Sequence, residues 1–162
     1  MWFNVDAADL DFTERSPFRF ENEAVVRCSP ERLFDIWATG EAQERWFKDL
    51  RAIRWTSPEP HGVGATREVE LATLTVKERF LAWDRGKRMA FQIYAITLPL
   101  VDAMVEDLQF TPLDGGRTRM IWRAHYRPAL VMRLLHPLVR WNFSKLFSAT
   151  CKDLARYAEE HP

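Results

Sequence analysis

Arg117-Thr118-Arg119-Met120-Ile121-Trp122-Arg123-Ala124-His125-Tyr126-Arg127 is the stretch that sets the architecture of this chain. Thr118, Met120, Trp122, Ala124 and Tyr126 fall on one face, and Arg119, Ile121, Arg123, His125 and Arg127 on the other. That is the period of two expected of a half-buried strand. Asp114-Gly115-Gly116, just before it, has the composition of a hairpin turn. The segment from Met104 to Thr111, with Met104, Leu108 and Phe110 together, therefore runs antiparallel to it. Beyond it, Ala129 to Glu160 reads as helix, with Pro137 starting or kinking the main helix because it removes a backbone donor. Val139, Phe143, Leu146, Thr150, Leu154 and Tyr157 form one apolar stripe at helical spacing, flanked by Phe147.

Working upstream, Phe20 to Arg27 alternates as a first strand. Ser29 suits an N-cap and Pro30 the first helical position, so Leu33, Phe34, Ile36 and Trp37 form the apolar face of a short helix. Gly40 ends it, and Glu41 to Phe47 makes a second short helix closing on Trp46 and Phe47. Strands follow at Leu50–Trp55, Thr66–Leu71, Leu74–Trp83 and Arg88–Tyr94, with a Pro- and Gly-rich loop at 57–64 and a turn at 84–87. Connections of hairpin length require an antiparallel sheet. The expected fold is α+β: a curved seven-stranded antiparallel sheet wrapped around a long C-terminal helix, with two short helices after strand 1. A single domain spans 1–162, with 1–18 as an N-terminal extension.

Composition narrows the function classes. Lys+Arg and Asp+Glu both number 23, a zero balance that argues against a nucleic-acid binder. Aromatic residues make up 13% of the chain, including seven Trp and eleven Phe, which means a dense core or the walls of an oily cavity. Cys28 and Cys151 have no metal-ligand spacing and read as thiols of a reducing cytoplasm. No run is apolar and long enough for a signal peptide or a membrane span. Gly-x-Ser-x-Gly, His-Glu-x-x-His and Cys-x-x-Cys are absent, and His61, His125, His136 and His161 lack close ligand spacing. No metal and no cofactor is expected.

Six segments in order carry a resemblance: Cys28-Ser29-Pro30-Glu31-Arg32-Leu33-Phe34 with the later Trp46, Gly62-Val63-Gly64-Ala65, Val76-Lys77-Glu78, Trp83-Asp84-Arg85-Gly86-Lys87-Arg88-Met89, Gly115-Gly116-Arg117-Thr118-Arg119-Met120, and the C-terminal helix. Over Phe20 to Glu160 the chain resembles the START-like, or SRPBCC, superfamily, within its polyketide cyclase/dehydrase and lipid-transport group. The resemblance implies a helix-grip fold with a cavity between sheet and helix. Cavities that take small molecules run about 300–1,000 Å³.

On that reading the cavity walls are the inward positions Val69, Val76, Phe80, Phe91, Ile93, Leu108, Phe110, Met120, Trp122 and Tyr126, with Leu71 beside them, covered by Val139, Phe143, Leu146 and Thr150. Arg67 shares parity with Val69, and Glu78 with Val76 and Phe80, so both charges point inward. A buried ion is costly unless paired, so they should face each other, water or a ligand's polar end. They are also the candidate catalytic residues, Glu78 as acid/base and Arg67 as oxyanion partner. Related plant hormone receptors resemble this chain in carrying an inward glutamate on the corresponding strand. Glu106 has inward parity too, but near a strand end it is expected to be solvated, and His61 to be an exposed loop residue. Tyr126 is placed at the cavity mouth, which Ile96–Val101 and Leu130–Leu135 are expected to rim.

The leading expectation is a binder or carrier of a hydrophobic small molecule: a lipid, isoprenoid, sterol-like or polyketide compound. The alternatives are a polyketide cyclase/aromatase-like enzyme and an interaction module of chaperone-regulator type. No nucleic acid and no membrane span is expected. Trp141, near the basic stripe of Lys145, Lys152 and Arg156, leaves a transient membrane-surface contact open.

Overall fold

The computed structural model describes residues 1–133 and 135–161, other than the side chains of residues 139, 140 and 142. The chain runs β1 (Phe3–Asn4), α1 (Phe12–Arg15), β2 (Phe18–Val26), α2 (Pro30–Ala38), α3 (Gly40–Trp46), β3 (Leu50–Trp55), β4 (Thr66–Leu71), β5 (Thr75–Asp84), β6 (Arg88–Ile96), β7 (Val101–Leu113), β8 (Arg117–Pro128), α4 (Leu130–Arg133) and α5 (His136–Glu160). Seven antiparallel strands lie in the order β2-β8-β7-β6-β5-β4-β3, and the two-residue β1 adds to β6. Consecutive strands pair through hairpins from β3 to β8. The chain's first long strand then closes the far side of the sheet beside its last, with Phe18 opposite Tyr126 and Val26 opposite Thr118.

The capping and turn chemistry matches the sequence. Ser29 accepts a hydrogen bond from the Arg32 backbone N–H at 3.2 Å, and Pro30 starts α2. Gly40, expected only to end α2, is instead the first residue of α3. An added Cβ there would sit 3.2 Å from Ile53 Cγ2, so the lack of a side chain lets α3 lie against β3.

The apolar stripe of α5 follows the expected one at Thr150, Leu154 and Tyr157 and departs from it at Leu146. Phe147, Cys151, Leu154, Tyr157 and Ala158 are buried, whereas Leu146 is 39% exposed. Burying each large member contributes about 1.5–3 kcal/mol. The opposite end of the sheet is filled by α2. Trp37 makes edge contacts with Trp46 and Trp122 at 5.1 and 5.0 Å, and its Nε1–H donates to Met120 Sδ at 3.2 Å. Phe34 packs edge-on against Phe110 and Trp83.

The N-terminal extension is part of the domain's packing. Ala8 and Phe12 form a second small cluster with Ala103 and Val105 on the outer sheet face. Polar groups buried there are satisfied by the same segment: the Ala8 N–H donates to Gln92 Oε1 at 2.9 Å, and Ser16 Oγ lies 3.0 Å from His125 Nδ1.

Candidate functional site

Between the sheet and the first half of α5 lies a cavity of about 140 Å³. This is narrower than the size range set by the resemblance, because Phe143, Phe147 and Trp122 reach into the space under the helix. Of the predicted wall residues, Val69, Val76, Phe91, Ile93, Trp122, Tyr126, Phe143, Leu146 and Thr150 line it, together with Arg67 and Glu78. Phe80, Leu108, Phe110 and Met120 are also buried but do not line this cavity, and α2 packs against Phe110 and Met120 through Phe34 and Trp37. The side chain of Val139 lies outside the described residues.

Two inward charges meet directly. β4 and β5 place Arg67 opposite Glu78, and Arg67 Nε donates to Glu78 Oε2 at 2.6 Å. Register shifts in the β5–β6 pairing flank Glu78 without turning it outward, and the two residues are only 1% and 5% exposed. Arg67 Nη1 also donates to Gln43 Oε1 of α3 at 3.3 Å. Its guanidinium carbon sits 5.5, 5.0 and 5.6 Å from the ring centres of Trp55, Phe80 and Phe91. Charge, hydrogen bonds and ring faces together offset the desolvation of the cation. Gln43 carries no obvious sequence signal, although it stands one turn before Trp46 and Phe47 and so shares their face.

Glu106 overturns its expectation of solvation. β7 begins at Val101, not Met104, so Glu106 is mid-strand and on the cavity wall. Trp122 Nε1–H donates to its Oε2 at 2.8 Å. Burial, and then the nearby Glu78 charge, push its carboxyl up to about 8. Burial also raises the Glu78 carboxyl, against the pull of Arg67. A guanidinium stays charged, so a protonated Glu78 would leave Arg67 unbalanced. With its carboxyl near 8, Glu106 holds its proton at pH 7 beside the hydrogen-bonded Arg67–Glu78 pair.

At the other end, Tyr126 Oη lies 2.7 Å from His136 Nε2, and Tyr126 stacks on Phe20 with ring centres 4.9 Å apart. Leu100, Val101, Pro128 and Met132 complete the rim, and the Ala129 N–H donates to the Leu100 carbonyl at 3.1 Å. Both expected rim segments thus contribute residues to the lining. His61 is not a bare loop residue, because its ring stacks on Trp55 at 3.6 Å.

The model of the polyketide cyclase / dehydrase and lipid transport family matches residues 17–159. The chain belongs to this family. An uncharacterized protein of Mycobacterium tuberculosis is similar at 37% identity, with 97% of this chain and 94% of that protein covered. Among solved structures, the fold resembles a START superfamily protein from Mycobacterium smegmatis, with TM-score 0.75, 10% identity, and 89% and 99% of the two chains covered. It also resembles a Thermus thermophilus protein, with TM-score 0.71, 18% identity, and 88% and 98% covered. The polyketide cyclase/dehydrase and lipid-transport family accounts for the sheet, the gripping helix and the hollow between them. Among the described residues no helix is long and apolar enough to cross a membrane, and no three His, Cys, Asp or Glu side chains gather as a metal site.

Proposed function

We propose that the protein binds or carries a hydrophobic small molecule, part of which is enclosed between the sheet and α5. The observation that carries this reading is the cavity itself, whose wall is aliphatic and aromatic apart from Arg67, Glu78, Glu106, Gln43 and a few polar groups near the mouth. Such walls favour lipid, isoprenoid, sterol-like or polyketide chains, since each CH₂ taken from water contributes about 0.8 kcal/mol. After the costs of ordering, micromolar affinity follows for a chain of modest length.

The surroundings of the mouth support loading from an anionic membrane. Leu130, Val131, Leu135, Leu138 and Trp141 are exposed there. From Leu130 to Lys152 the sequence has Arg133, Arg140, Lys145 and Lys152 and no Asp or Glu. Two free thiols, Cys28 and Cys151, support a cytoplasmic location.

The cyclase-like alternative rests on one observation, the coexistence of a neutral and an ionised carboxyl in one cavity. Its acid would be Glu106, because Glu78 Oε2 is held by Arg67.

Native mass spectrometry of the recombinant protein tests the carrier reading. It predicts a co-purifying apolar molecule in the wild type and its loss from a Val69→Phe variant, which fills the cavity. Ligand-free wild-type protein that also takes up no added apolar chain would refute it.

A further inference from the structure

Two carboxylates and one guanidinium line the cavity, and the charge of Arg67 is already paired. Its Nε is held by Glu78, its Nη1 by Gln43, and three rings pack around it. Glu106, from the neighbouring β7, has no ion-pair partner among the described residues. Trp122 donates to one of its oxygens, and no hydrogen bond among the described residues holds the other. The groups facing this region are Arg67 from β4, Glu78 from β5, Trp122 and Tyr126 from β8, Gln43 from α3 and His136 from α5.

Counted as charges, the protonated cluster is neutral. An incoming carboxylate would bring a net negative charge into an apolar space whose guanidinium is already paired with Glu78, at a cost of several kcal/mol. A ketone, ester or hydroxyl oxygen brings no charge and accepts the hydrogen bond.

We infer that Glu106 is a hydrogen-bond donor of the cavity and selects apolar molecules whose inserted end is a neutral oxygen acceptor, discriminating against fatty-acid anions. This rests on the carrier reading above and specifies its ligand class. Glu106 acts here as a specificity residue, and the structure assigns it no chemical step. Ionisation of Glu106 at high pH removes the donor and adds an unpaired charge, so the preference has a pH limit.

Calorimetric titration with 2-octanone, octanoate and n-hexane, at about pH 6.5 and about pH 9.5, tests the inference. The wild type should bind 2-octanone at least tenfold tighter than octanoate at the lower pH, because the anion brings an uncompensated charge into the cavity. Its ketone affinity should fall about fivefold or more at the higher pH. Glu106→Gln, which keeps an N–H donor, should bind the ketone equally at both pH values. That flat response also separates Glu106 from His136. Glu106→Leu should bind the ketone no better than hexane allows. Hexane binding with no ketone preference, or octanoate binding as tightly as the ketone, overturns this inference and leaves the carrier reading standing. Failure of all three probes to bind overturns both.

Discussion

Arg67 and Glu78 face each other across the β4–β5 pair with Nε and Oε2 2.6 Å apart, and both are withdrawn from solvent. Removing one partner strands the other in an apolar wall. Arg67→Met should destabilise the fold by about 3–5 kcal/mol, whereas the double variant Arg67→Met/Glu78→Leu should recover most of that loss. Urea unfolding of the two single variants and the double variant gives the coupling. Additive losses would show that the pair is not energetically coupled.

Glu106 makes stability depend on pH in an unusual direction. Its folded carboxyl is raised to about 8 from an ordinary value of 4.5. Between those values the unfolded chain has released this proton and the folded chain still holds it, so stability falls as pH rises through the window. Below pH 4.5 both states are protonated, and above about 8 the loss is complete. Glu106→Gln should remove the slope and be more stable than wild type by on the order of 3 kcal/mol near pH 8. Parallel unfolding profiles for the two proteins between pH 5 and 8 would contradict the placement of this carboxyl.

Cys151 is 5% exposed on the inner face of α5, and burial pushes its thiol up to about 11. Burial also raises Cys28, which is half-buried. A disulfide reagent near neutral pH should therefore modify Cys28 slowly and Cys151 only after denaturation. Rapid reaction of both thiols in the native protein would mean that α5 does not lie down on the sheet as described.

Phe12, 6% exposed, anchors the N-terminal segment over Ala103 and Val105. Phe12→Ala should cost about 3 kcal/mol and leave ligand binding intact, because the outer face of the sheet is remote from the cavity. Thermal unfolding beside a binding titration checks both halves of the statement.

Parity carried the sequence reading far. The alternation of β8 and the turn at Asp114-Gly115-Gly116 sufficed for the antiparallel sheet. Two charges on otherwise apolar faces sufficed to turn Arg67 and Glu78 inward, toward each other, water or a ligand, and the β4–β5 register joins them. Parity cannot say which inward residues meet a void and which meet a helix. Phe80, Leu108, Phe110 and Met120 look the same in sequence as Val69 and Ile93, and only the three-dimensional packing separates them. Glu106 was misplaced because β7 was begun at Met104. The outward positions Ala103 and Val105 continue the alternation upstream and show Glu106 to be mid-strand. The N-terminal segment mixes Trp2, Phe3, Val5, Ala8, Leu10 and Phe12 with Asp6, Asp9 and Asp11 in no regular period, so its anchors Ala8 and Phe12 give no periodic signal.

Methyl-detected NMR during titration with 2-octanone examines the internal binding site most directly. The account predicts saturable shifts that concentrate on Leu71, Val76, Ile93, Ile96 and Thr150, whose side chains line the hollow under α5. Shifts confined to the exposed Leu130, Val131 and Leu138, with the interior methyls unmoved, would contradict it.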